Sequence, residues 1–150
     1  MLINTIFGFF VPWIAGIYLG IKSPKTLLLI FPIGAVSSLV INAIGFQLNF
    51  WDFTPLIPND ESVSALPLDI GLYPILACFM IWLINARPVL TMLILFLFVL
   101  GTTLLEFMAL IFGKVSYGNG WNIGYTFLSY LLAFGIVFIY FKLLKRNRLL

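Results

Sequence analysis

Histidine is missing from this 150-residue chain, and cysteine occurs once, at Cys78. Zinc, haem and iron–sulfur centres need several such ligands, so no metal and no other cofactor is expected. Ser-His-Asp and Cys-His catalysis fall with the missing imidazole. A lone thiol inside an apolar run reads as a small hydrophobe. Charge is scarce as well. Only 9% of residues are Asp, Glu, Lys or Arg, against roughly a quarter in an ordinary soluble domain. The net charge of +3 is no nucleic-acid signature, because four of the eight basic residues, Lys142, Lys145, Arg146 and Arg148, crowd the last nine positions. A basic end after an apolar helix reads as a cytoplasmic membrane anchor, so the expected partner is the lipid bilayer and not nucleic acid.

What is abundant is hydrocarbon. Hydrophobic residues make up 63% of the chain, with a mean hydropathy of +1.16. At roughly 20 residues per bilayer crossing, that accounts for four to five helices. β-barrel strands would alternate apolar and polar residues, and these runs do not. The expected fold is therefore all-α, a polytopic bundle of about five transmembrane helices forming one integral membrane domain over residues 1–150. The spans fall at residues 2–21, 26–46, 67–84, 89–113 and 121–141. Lys22-Ser23-Pro24-Lys25, Asn85-Ala86-Arg87-Pro88 and Gly118-Asn119-Gly120 mark turns between them. Residues 47–66 form the long outer loop, and 142–150 a basic cytoplasmic tail. The uncharged start lacks the basic region of a cleavable signal peptide, so the first span is expected to be retained.

With the tail cytoplasmic, five spans put the N-terminus outside. Lys22, Lys25, Arg87 and the tail then lie inside and only Lys114 outside, as the positive-inside rule demands. The few polar residues within the spans share faces at helical spacing. They run Gly34, Ser38, Asn42, Gly45; Asp69, Tyr73, Ala77; Thr102, Glu106, Ala109, Gly113; and Asn122, Thr126, Ser129, Ala133. In the expected orientation all four stripes fall in the outer half of the membrane. Glu106 is the central residue, about 10 Å below the outer end of its helix at 1.5 Å per residue. A charge near a helix centre costs about 2.5–3.5 kcal/mol on insertion scales. Asn42, Tyr73, Asp69 and Lys114 are its candidate partners, and Asp69 reads first as a charge favouring a helix N-terminus. Pro12, Pro32 and Pro74 interrupt spans, where they kink a helix and free a carbonyl.

Two roles fit these residues. One is an outward-facing polar pocket around Glu106, with Asp69, Tyr73, Asn42 and Asn122, that binds or transports a small polar or cationic ligand or a proton. The other is a structural or interaction subunit whose stripes are packing surfaces. Convergence of the stripes on a cavity would favour the first, dry packing the second. Glu106 and Asp69 alone supply too little for an active site, so a non-enzymatic role is favoured and the question stays open. Five short helices leave little room for a solvated path, so association into a homo-oligomer or a larger membrane complex is expected.

Several strings also carry a resemblance: Pro12-Trp13 with Gly16-Ile17-Tyr18, Phe31-Pro32-Ile33-Gly34, Leu66-Pro67-Leu68-Asp69-Ile70-Gly71-Leu72-Tyr73-Pro74, Leu104-Leu105-Glu106, and Tyr117-Gly118-Asn119-Gly120-Trp121-Asn122. The chain resembles, over most of its length, a family of small uncharacterised integral membrane proteins of endospore-forming Bacillus- and Clostridium-type bacteria. The resemblance implies a multi-pass protein of a bacterial plasma membrane and carries no activity with it.

Overall fold

A computed structural model describes residues 5–53 and 61–150. Residues 2–4 of the expected first span and residues 54–60 of the expected outer loop lie outside the described residues. Five helices make up the fold. The first, α1, is Ile6–Lys22 and α2 is Pro24–Gln47. The rod α3 joins Glu61–Pro67, Leu68–Leu72 and Tyr73–Ala86, and its membrane-length part is Ser64–Ala86. Then come α4, Pro88–Ile111, and α5, Ile123–Arg146. The bundle is all-α, and four of its helices, α2 to α5, are long and apolar enough to cross a membrane. The remaining helix, α1, is apolar but shorter. Pro24 and Pro88 open their helices where a missing N–H costs nothing. At the far end α5 continues through Lys142 and Lys145, which lie over the Phe138 and Phe141 rings at 4.7 and 5.4 Å. Lysines there complement the helix dipole while their stems cover apolar rings.

The most buried span, α3, stands at the centre: 50% of its membrane-length window is buried, against 17% for α4. Around it the helices follow the order α1, α2, α5, α4, each packed on the next. Gly34 of α2 lets the backbones close, since a Cβ there would stand 3.0 Å from Pro74 Cα. Among the described residues no such packing between α4 and α1 closes the ring.

Two π-helical turns explain how α1 meets α3. They span Ile6–Phe10 and Leu68–Leu72, and each stops just before a Val-Pro or Tyr-Pro pair, at Pro12 and Pro74. A proline ring clashes with the carbonyl four residues back, and a widened turn relieves that clash. The Ile70 carbonyl, which Pro74 cannot bond, accepts from Trp13 Nε1 at 3.0 Å. This accounts for Trp13, a mid-span tryptophan unsuited to an interfacial belt. The two turns nest so closely that a Cβ on Gly71 would lie 2.1 Å from the Gly8 oxygen.

The ends of the bundle differ. Helices α2 and α4 both finish in Schellman turns, with Asn49 (φ 52°) and Gly113 (φ 64°) in the left-handed region. These turns throw the chain into two short strands, β1 (Trp51–Phe53) and β2 (Val115–Tyr117), paired antiparallel with Trp51 opposite Tyr117. Phe46, Trp51, Phe53, Ala65 and Val115 form a small apolar cluster beneath this ribbon. At the opposite end the bundle is filled by Leu19, Ile30, Met80, Ile81, Ile84, Phe141 and Leu144. Polar side chains gather at the ribbon end.

Candidate functional site

Glu106 sits on α4 one helical turn beyond Thr102, where its half-buried carboxylate meets the ribbon and α5. Its Oε1 accepts from the Tyr117 hydroxyl at 2.7 Å, and the single Thr126 Oγ1 proton is shared between the Tyr117 oxygen at 2.8 Å and Oε1 at 3.2 Å. Its Oε2 accepts from the Tyr130 hydroxyl. Behind these donors stand two more. The Trp121 indole N–H donates to Thr126 Oγ1 at 2.9 Å, and the Tyr73 and Tyr130 hydroxyls are 3.1 Å apart. Tyr130 gives its single proton to Glu106, so Tyr73 donates to Tyr130. The Tyr117 and Tyr130 hydroxyls, with the shared Thr126 proton, stand in for the water that the carboxylate leaves behind. Burial, and then the Glu106 charge, hold the Tyr117 phenol above the ordinary tyrosine range.

Asp69 builds a second polar niche. It is fully buried on the π turn of α3 and accepts from Ser38 Oγ and from Asn42 Nδ2, the latter at 2.6 Å. Asn42 in turn accepts from Trp51 Nε1 at 3.2 Å. That contact is possible only because residue 45 is glycine, as a Cβ there would lie 2.0 Å from the Trp51 ring. Asp69 therefore does more than favour a helix N-terminus: it fixes the rotamers of Ser38 and Asn42.

Between the two niches lies a cavity of about 40 Å³, room for three or four waters at about 10–15 Å³ each. Its wall draws on all four long helices and the ribbon: Ser38 and Asn42 from α2, Tyr73 and Ala77 from α3, Glu106 from α4, Thr126, Ser129, Tyr130 and Ala133 from α5, and Trp51 from β1. Four of the five expected site residues thus gather here. Asn42, Tyr73 and Glu106 line the cavity directly, and Asp69 stands behind Asn42. Asn122 stands apart, its side chain accepting from the Gly124 and Tyr125 amides at 2.9 and 3.3 Å as the N-cap of α5. Asn and Asp are favoured at that position for this bond.

Sequence reasoning missed the hydroxyls. Tyr130 follows Thr126 by four residues and so lies on the α5 stripe, a readable signal. Tyr117 entered only through the 117–122 string, with no contact to Glu106 expected of it. The partners of Glu106 turn out to be Tyr117, Thr126 and Tyr130, none of which was among the four candidates. Among the described residues no group of His, Cys, Asp and Glu could hold a metal ion.

Comparison with protein-family models, with curated proteins and with solved structures finds no match. The fold by itself defines a small polytopic helical membrane protein.

Proposed function

We propose that this protein binds a small cation, and passes it or a proton across the membrane, through the polar cavity at the ribbon end. The observation that carries the reading is convergence: polar residues of four helices meet around one cavity with the Glu106 carboxylate in its wall. Energetics support it. Hydrogen bonds within membrane proteins average about 0.6 kcal/mol, so those on Glu106 offset only part of the roughly 2.5–3.5 kcal/mol that an intramembrane acid costs. An acid kept at a net cost is worth most where its charge is used. The role is that of a binding or transport protein and not of an enzyme. The basic tail and the outer-half stripes favour a ribbon-side-out orientation with the C-terminus cytoplasmic. The resemblance of the 66–74 and 117–122 strings supports a bacterial plasma membrane as its home.

Thermal unfolding of the purified protein with sodium, ammonium or methylammonium chloride tests this. Saturation at about 100 times Kd adds about 2.7 kcal/mol to stability. A rise in Tm with at least one cation is expected for the wild type and its loss in Glu106→Gln. No rise with any cation, or an equal rise in the variant, would contradict the reading. A second reading, an interaction subunit, is favoured by α4, whose outward side chains Met92, Phe96, Leu104, Met108 and Ile111 are all exposed. It predicts that a second copy or partner helix covers α4.

A further inference from the structure

The open junction of the helix ring holds a second cavity of about 500 Å³, between α1, α3 and α4. That volume falls within the 300–1,000 Å³ typical of sites for medium-sized ligands. Its walls are apolar: Val11 and Ala15 of α1, Leu72 and Leu76 of α3, Leu105 and Phe112 of α4. Phe7, Val11, Leu105 and Phe112 are also among the exposed apolar residues, so the cleft opens sideways onto the surface that lipid covers. At its back stand Glu106, Tyr73 and Tyr130, the same three side chains that wall the polar cavity. The two spaces thus meet at one carboxylate. Among the described residues the other charged group of the cleft wall is Lys114, itself engaged in an interaction. An anionic head placed at the back would lie against Glu106, whereas a cationic head would be matched in charge and would meet the oxygen of a tyrosine hydroxyl.

We infer that the ligand is an amphiphilic amine, a long-chain alkylammonium that enters from the bilayer. Its head lies against Glu106 at the back of the cleft, beside the Tyr73–Tyr130 pair, and its hydrocarbon chain lies in the α1–α3–α4 cleft. This rests on the cation-binding reading above and adds the class of ligand to it. A hydrocarbon chain gains nothing by moving from lipid into an equally apolar cleft, so selectivity comes from the charged head.

The test uses the full chain in lipid nanodiscs with three probes: methylammonium, hexadecylamine carrying a mid-chain diazirine, and the matching hexadecanol. The amine probe is expected to cross-link α1 near Val11 and Ala15 and α4 near Leu105 and Phe112. Unlabelled hexadecylamine should compete about tenfold better than hexadecanol, the ratio of a single retained charge contact. Glu106→Gln should abolish that preference. Ala15→Phe, which fills the cleft and touches no polar group of the cavity, should lower cross-linking about fivefold or more and leave the methylammonium Tm shift unchanged. If methylammonium raises Tm but the amine does not cross-link the cleft, the inference fails and the cation reading stands. If hexadecanol competes equally, the cleft holds ordinary lipid chains and the inference also fails. If neither amine acts, the inference fails, and the cation reading fails with it when sodium and ammonium also leave Tm unchanged.

Discussion

Each hydroxyl on Glu106 has a separable cost. Tyr130→Phe keeps the ring against Tyr73, whose centroid lies 5.8 Å away, but removes a donor from Glu106 and an acceptor from Tyr73. A stability loss of about 1–2 kcal/mol is expected, read as a lower Tm in the same detergent. No change would mean that the carboxylate does not depend on that donor. Tyr117 makes a pH-dependent contribution. Its folded pKa lies above the unfolded value, so the contribution is complete below about pH 10 and is lost as the pH rises further. Part of the alkaline fall in Tm should therefore vanish in Tyr117→Phe; identical alkaline limbs would contradict the assignment. The acids were legible in the sequence because Asp69 and Glu106 interrupt apolar runs. Their partners were less so, since a tyrosine near a span end reads equally well as an interfacial anchor.

At the scale of elements, the helices were legible from apolar length and from Pro24, Pro88 and the Gly118–Gly120 turn. Two features were not. The π turns arise from Pro12 and Pro74 acting with the tight contact of Gly8 and Gly71, and no periodicity on a single helix records a contact between two. The ribbon depends on Schellman turns that reverse the chain after α2 and α4, and its strands of three residues are too short to show a period of two. Pro74 and Trp13 form one device, in which the proline frees the Ile70 carbonyl and the indole takes it. Trp13→Phe should cost about 1 kcal/mol in the parent and close to nothing in Pro74→Ala, where a restored amide claims the carbonyl. Equal costs in both backgrounds, measured as a double-mutant cycle, would refute the coupling. Gly71→Ala should destabilise more strongly, by about 1–3 kcal/mol or more, because the added methyl meets the backbone of α1.

Over the whole molecule, hydrophobicity is unevenly laid out. One end of the bundle is a dry apolar cluster. The other is a ribbon-capped set of hydrogen-bonded side chains around a small cavity, with an apolar cleft opening beside it where α4 and α1 fail to close the ring. That polarity of ends was readable from the depth of the stripes; the open junction was not, because ring order is a property of packing and not of any one helix. The central claim is that the stripes enclose water reachable from the ribbon side. Cysteine accessibility in a Cys78→Ala background measures it most directly, with a membrane-impermeant thiol reagent applied to each side of sealed vesicles. Ser129→Cys and Ala133→Cys, which line the cavity, should label from the ribbon side only, and Met80→Cys, in the dry cluster, from neither. No labelling at Ser129→Cys and Ala133→Cys, or labelling at Met80→Cys equal to theirs, would contradict the account.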